Sequence, residues 1–201
     1  MIESATIGVV ILAAGSSSRL GRPKQLVDFK QKPLLQHVID TVAPFNFTPA
    51  VLVLGAHADE ILEAINQKDV TVSVNENWPE GIASSIRLGV LESMKLNESL
   101  ESILFLLSDQ PFVTPELIEK LIQKHTDGDQ RITACSYREN IGVPAIFKKP
   151  FFPQLLDLKG DTGAKKIILQ NIPDIDKVAF RKGYFDIDTA EDQEQLKNYI
   201  S

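Results

Sequence analysis

Apolar residues along this chain come in two rhythms. Short uninterrupted runs, rich in β-branched residues, occur at 7–13 (ended by Gly15), 50–54 and 102–107, and such runs predict strands buried on both faces of a parallel sheet. Between them, apolar residues recur three and four positions apart, as Leu34, Leu35, Val38, Ile39 and Val42 do, which predicts helices over 33–42, 58–66, 84–94 and 115–125. Pro115 sits at the first turn of its helix, where a missing N–H has no consequence. A short strand with interleaved polar residues is expected at 70–74. Strands and helices thus alternate through the first 125 residues, the pattern of a parallel α/β sandwich with right-handed crossovers.

The second half is less regular. It predicts a strand at 132–136, an apolar stretch at 145–147, a helix opening near Gly160, a strand at 177–180 and a C-terminal helix from Thr189. A chain of 201 residues suits one sizeable core. The expectation is one domain over residues 1–201, a three-layer α/β/α sandwich around a mostly parallel, Rossmann-like sheet. Ligands of open α/β sheets gather at the carboxyl ends of the strands, so the loops at Gly15, Asn75 and Asp109 are expected to face one crevice.

Composition narrows the functional classes. No apolar run approaches the roughly 18 residues needed to span a bilayer, and Glu3 stands where a signal peptide would be basic. The expected setting is cytoplasmic, with no membrane partner. Cys135, the single cysteine, excludes an internal disulfide and lies in an apolar run, so it is expected to be a core thiol. His37, His57 and His125 have no spacing suited to a shared metal and are expected in packing or surface roles. The formal charge of −6 argues against nucleic-acid binding. Its distribution is uneven: residues 19–32 carry Arg19, Arg22, Lys24, Lys30 and Lys32 against Asp28 alone, a net +4 that leaves −10 for the remainder. A small polyanion is expected to find a place there.

The residues beside that basic segment suggest which polyanion. Leu12-Ala13-Ala14-Gly15-Ser16-Ser17-Ser18-Arg19-Leu20-Gly21-Arg22-Pro23-Lys24 follows a buried strand, and a loop of small residues there lets backbone N–H groups approach phosphate oxygens. Five residues separate Gly15 from Gly21, where a P-loop needs four, and Ser17 stands where the dinucleotide fingerprint needs a second glycine. Leu106-Leu107-Ser108-Asp109-Gln110-Pro111 places a carboxylate at the end of a central strand, where it serves either as an oxygen ligand for Mg²⁺ or as a turn residue. In Phe185-Asp186-Ile187-Asp188-Thr189-Ala190-Glu191-Asp192, extended geometry puts Asp186 and Asp188 on one side, while Thr189 and Asp192 fit a capping-box-like pattern. There is no Gly-x-Ser-x-Gly elbow for a serine hydrolase.

Together these stretches resemble the molybdenum cofactor cytidylyltransferases, within the wider group of nucleotide-diphospho-sugar transferase type. Five matches run in order from residue 12 to residue 192: the glycine loop, Asn75 to Gly89, Leu106 to Pro111, the pair Gly142 to Phe147 and Gly160 to Lys165, and Asp186 to Asp192. The resemblance implies magnesium-dependent transfer of CMP from CTP to the terminal phosphate of molybdopterin, with release of pyrophosphate. It implies Arg19, Lys24 and Asp109 as catalytic residues, and Leu12, Ala13, Ala14, Gly15, Lys24, Gly81, Ser85 and Asp109 as the nucleotide site. Mg²⁺ falls to Asp109 and Asp188, with Asp186 the less favoured second ligand. Ala14 is similar to the CTP-using branch, where the guanylyl branch tends to show Ala-Gly-Gly. Trp78 either lines the pocket or packs, and Lys165 either receives the acceptor phosphate or marks a plain helix entrance. A transient contact with a molybdenum hydroxylase or its maturation factor is implied as well. Two rivals remain at this level: a transferase for a sugar or polyol phosphate, and a carrier of pterin cofactor without chemistry.

Overall fold

Seven strands form one sheet in the order β5-β4-β1-β6-β8-β7-β9. The computed structural model describes residues 7–200, so the expectation that rested on Glu3 lies outside the described residues. Strand β1 (Ile7–Ala13) is buried along its whole length. Its parallel neighbours are β4 (Ala50–Leu54) and β6 (Ser102–Leu107), whose limits are those the apolar runs predict. A two-stranded hairpin, β2 (Asp28–Phe29) with β3 (Lys32–Pro33), and helix α1 (Leu34–Val42) come between β1 and β4. Helix α2 (Ala58–Ala64) and edge strand β5 (Thr71–Val74) follow.

Side-chain alternation along the strands divides the interior in two. Ile7, Val9, Ile11 and Ala13 of β1, with Leu104 and Leu106 of β6, face α1, α2 and α4 (Pro115–Asp127). Val10 and Leu12, with Ile103 and Phe105, face α3 (Ile82–Leu96), α5 (Phe152–Leu156) and α6 (Lys165–Gln170). Helices therefore cover both faces, and the architecture is the three-layer α/β/α sandwich that the alternation predicts. A smaller cluster of Val27, Phe29, Leu34, Phe185, Ile187 and Leu196 pins the C-terminal helix α7 (Ala190–Ile200) against the hairpin. No helix among the described residues is long and apolar enough to cross a membrane.

The second half departs from strict alternation in a definite way. Strand β8 (Asn140–Lys148) runs antiparallel to both β6 and β7 (Ile132–Tyr137), and β9 (Ile175–Ala179) closes the edge parallel to β7. Only Ala145–Phe147, toward the end of β8, is an uninterrupted apolar run, so Asn140, Gly142 and Pro144 in its first part hid the strand's length. The helix expected at Gly160 begins only at Lys165, because Gly160 adopts φ +60° in a turn. The β2/β3 hairpin and α5 are too short to leave a periodic signal.

Candidate active site

The loops after β1, β5 and β6 open on the same crevice, as strand order demands. Its walls are Leu12, Ala13, Ala14, Gly15 and Ser16 on the first loop, Lys24, Trp78, Pro79, Gly81, Ile82 and Ser85 beside it, and Leu107, Ser108 and Asp109 beyond β6. Asp161 completes the rim, and the enclosed space is about 380 Å³. All of the nucleotide-site residues expected from the sequence line it: Leu12, Ala13, Ala14, Gly15, Lys24, Gly81, Ser85 and Asp109.

The first loop is held open by a residue the sequence reading passed over. Gln25 is fully buried, and its Nε2 donates to the carbonyls of Ala13 at 2.6 Å and Gly15 at 3.2 Å. With those carbonyls engaged from behind, the loop backbone is braced against rotation. Ser17, with φ +54°, turns the chain, and its Oγ accepts the N–H of Lys24 at 3.0 Å. Nothing lies within 4 Å of a Cβ built on Gly15, so the loop leaves room for a phosphate's approach there. Gln25 follows Lys24 directly, and a polar residue in that position was the available signal.

Lys24 is the centre of charge. Its Nζ lies 2.5 Å from Oδ2 of Asp109 and 2.9 Å from Oδ1 of Asp188. Burial pulls the lysine pKa down, but the charges and hydrogen bonds of Asp109 and Asp188 outweigh it and hold the pKa above the ordinary value. Burial likewise opposes ionisation of Asp188, and Lys24 with Arg19 more than reverses that, so its carboxyl lies below the usual range. Ile187 places this segment: its side chain is buried in the C-terminal cluster and its N–H donates to the carbonyl of Asp109 at 3.1 Å. Asp186 lies on the other side of Ile187, and burial, reinforced by the charge of Asp109, pushes its carboxyl up to about 6.

Other expected residues lie outside the crevice wall. Arg19 is not in the crevice wall: its side chain is 70% exposed and pairs with Asp188 at 2.8 Å on the rim. The basic segment as a whole does not converge. Arg22 hydrogen-bonds Gln193, Lys32 pairs with Asp40 and Lys30 lies over the Phe29 ring, which leaves Lys24 as its contribution to the crevice. The local geometry of the hairpin explains this, since Lys30 lies in its tight turn, with Lys30 and Gln31 at positive φ, and Lys32 follows that turn directly. Lys165 donates to Asn140 at 3.3 Å, and the loop before it reaches the crevice through Asp161 instead.

Trp78 takes both of its roles, lining the crevice and packing on the α3 side of the sheet. Glycines allow this closeness. A Cβ on Gly55 would lie 2.7 Å from Cβ of Trp78 and 2.8 Å from Cβ of Ala14, and one on Gly81 would lie 2.4 Å from Oδ1 of Asp161. Glu80 and Arg87 tie the two walls together: Arg87 pairs with Glu80 at 2.6 Å and donates to the carbonyl of Leu158, while Glu80 accepts the N–H of Gly160. Asp192 accepts from the N–H groups of Asp188 and Thr189 and from the Thr189 hydroxyl, the structural role its spacing predicted. Cys135 is buried, and burial pushes its thiol up to about 12, as befits a core residue.

Residues 9–175 match the family described as MobA-like NTP transferase domain. The chain belongs to that family. It is therefore a member of a family of nucleotidyltransferase enzymes, built on the nucleotide-diphospho-sugar transferase fold. Among known proteins it is 28% identical to the nicotine blue oxidoreductase of Paenarthrobacter nicotinovorans, over 93% of this chain and 94% of that one. It is 29% identical to Rv0371c of Mycobacterium tuberculosis H37Rv, whose crystal structure superposes with a TM-score of 0.84 over 96% of this chain and 98% of that one. A structure of that mycobacterial protein in complex with manganese is 27% identical, with a TM-score of 0.80, and covers 95% and 97% of the two chains. Curated relatives named bifunctional protein GlmU, from Desulfitobacterium hafniense, are 25% identical over 94% of this chain, which spans 40% of their length.

Proposed function

We propose that this protein, as a single domain, transfers CMP from CTP to the terminal phosphate of molybdopterin and releases pyrophosphate. The observation that carries the transferase half is the convergence of Lys24, Asp109 and Asp188 beside the glycine loop, from positions up to 164 residues apart. Family membership supports the same half of the reading. The pyrimidine assignment rests on Ala14, and the acceptor assignment on the resemblance of the ordered motifs.

A divalent cation fits the residues present. Asp109 and Asp188 bracket one ammonium, so both carboxylates are within reach of a single small cation, and Oδ1 of Asp109 is buried without a hydrogen-bond partner among the described residues. Hard oxygen donors of this kind suit Mg²⁺, which commonly takes one or two carboxylates and completes its shell with water and substrate phosphates. That the mycobacterial relative is solved in complex with manganese supports use of a divalent ion. When bound, the ion supplies charge neutralisation at the phosphate oxygens.

The chain's own residues then act by position and charge. Backbone N–H groups of residues 13–16 hold the triphosphate, braced by Gln25. Lys24 neutralises charge on the β- and γ-phosphates as pyrophosphate separates, with Arg19 reaching in from the rim. An oxygen of the acceptor phosphate forms the new bond to the α-phosphorus in line with the bond to pyrophosphate, which breaks. No covalent intermediate with the protein is required.

The relative named as an oxidoreductase raises a different activity, and Ser17 in place of the second glycine of a dinucleotide fingerprint speaks against it here. The deciding experiment measures pyrophosphate release from CTP, GTP, ATP and UTP with Mg²⁺ and molybdenum-loaded molybdopterin, with Asp109→Ala as control. Acceptor-dependent release that prefers CTP and is lost in the variant is the expected result. Release only with sugar or polyol phosphates would move the acceptor, and binding without release would leave a carrier.

A further inference from the structure

The crevice has a charged part at Lys24 and Asp109 and a part whose walls, Trp78, Pro79, Ile82 and Ser85, are neutral, with Asp161 on its rim. Strand order separates them: the loop that bears Trp78 follows edge strand β5, and Asp109 follows β6, three strand spacings or about 14 Å away in the sheet. Phosphates belong at the charged part, which leaves the nucleobase to the neutral one.

In that neutral part the hydrogen-bond directions are fixed by a residue that does not line the crevice. Asn75 is 4% exposed and has partners for every polar atom. Its N–H donates to the carbonyl of Leu54 at 2.7 Å, and its own carbonyl accepts from Trp78 at 3.3 Å. Oδ1 accepts the N–H of Asn77 at 3.0 Å, and this settles the orientation of the amide, because a flipped side chain would set two donors against each other. Nδ2 must therefore face α3, where it donates to Oγ of Ser84 at 2.8 Å and to Oγ of Ser85 at 2.9 Å. Ser84 passes its own proton to the carbonyl of Gly81 at 2.8 Å. Ser85 accepts from Asn75 and has no acceptor for its proton among the described residues, yet it lines the crevice.

We infer that Asn75 is a positioning residue for base recognition: its amide N–H fixes the Ser85 hydroxyl from the α3 side and so leaves the Ser85 proton to donate to a ring nitrogen or carbonyl oxygen of the nucleobase. This rests on the nucleotidyltransferase reading of the crevice. It adds a direction to the recognition, since the proton that Ser85 holds toward the crevice suits an acceptor on the base. Asn75→Asp keeps the shape of the side chain but replaces the amide donor with an acceptor, which draws the Ser85 proton away from the crevice.

The test is calorimetric binding of each of the four nucleoside triphosphates, and of inorganic tripolyphosphate as a probe without a base, all with Mg²⁺ and no acceptor. Asn75→Asp and Ser85→Ala should each weaken the preferred nucleotide about tenfold and leave tripolyphosphate within about twofold of wild type. The double variant should match Ser85→Ala alone, because Asn75 acts through that hydroxyl. Asn75→Ala serves the same cycle if the aspartate variant does not fold. A parallel loss of tripolyphosphate binding, or independent effects that multiply in the double variant, would overturn the inference, as would a wild type that binds none of the four nucleotides. Preference for a purine with the 75–85 coupling intact would instead overturn the CTP assignment and leave this inference standing.

Discussion

The ammonium of Lys24 lies 2.5 Å from Oδ2 of Asp109, joining the end of the glycine loop to the end of β6 across 85 residues of sequence. Both side chains are largely enclosed, at 17% and 13% exposure. Pairs enclosed in this way act as units, because loss of one partner leaves the other's charge uncompensated. The same ammonium bridges to Asp188, so one positive charge offsets both carboxylates.

Lys24→Ala should slow pyrophosphate release by about 10²–10³, the cost of removing a charge-stabilising donor from a polar reaction centre. It should also tighten binding of Mn²⁺ in the absence of nucleotide, since Asp109 and Asp188 lose their resident counter-charge. Steady-state rates and a paramagnetic titration read the two effects separately. A variant within threefold of the wild-type rate would remove Lys24 from the reaction.

Gly81→Ala should damage the crevice without removing a charged group. Gly81 has φ +117°, and an added Cβ would lie 2.4 Å from Oδ1 of Asp161 and 2.5 Å from the backbone of Gly160. Backbone cannot yield as a flexible side chain does, so strain of about 1–3 kcal/mol is expected together with displacement of the 158–161 loop. Nucleotide affinity should fall at least about tenfold and the melting temperature should drop. Unchanged affinity would show that the close approach of the two loops is incidental to binding.

Stability should fall on acidification through His125. The ring is buried between Ser102 and Thr133, 3.0 Å from each hydroxyl, and burial lowers its pKa to about 4 from 6.5. The unfolded chain takes up a proton as pH drops through 6.5, whereas the folded chain resists until about pH 4. The contribution is therefore complete above pH 6.5 and is lost progressively below it, by about 2 kcal/mol at pH 5. Denaturant unfolding of wild type and His125→Gln at pH 7.5 and pH 5 checks this. The variant should lack that part of the pH dependence, and equal slopes would refute the assignment.

Asp192→Ala should loosen Asp188 from a distance. One carboxylate oxygen of Asp192 accepts from the backbone of Asp188 and Thr189 and from the Thr189 hydroxyl at the start of α7. Loss of such a cap costs about 1 kcal/mol, which lowers the melting temperature of a chain this size by about 2–4 °C. Mn²⁺ affinity should weaken modestly alongside it. A shift in melting temperature with metal affinity unchanged would separate the cap from the site.

The sequence by itself determined the layers and pointed to the candidate site. Runs at 7–13, 50–54 and 102–107 fixed the central strands because a strand buried on both faces admits only apolar residues. The spacing of residues 12–24 and the Asp109 and Asp188 motifs marked the site because each is local: a turn needs small residues where it turns, and a strand end presents whatever side chain stands there. Tertiary structure decided what depends on distant parts of the chain. It turned β8 antiparallel, paired Lys24 with both aspartates, moved Arg19 to the rim, kept Lys165 out of the crevice and brought Asp161 in. The partners of Gln25 and Asn75 were decided there too, although the Asn75 loop was already expected at the crevice and a polar residue beside Lys24 was visible. Each is a buried polar residue whose role lies in which loop it reaches, and a hydrogen-bond partner supplied by another turn leaves no periodicity or spacing in the sequence.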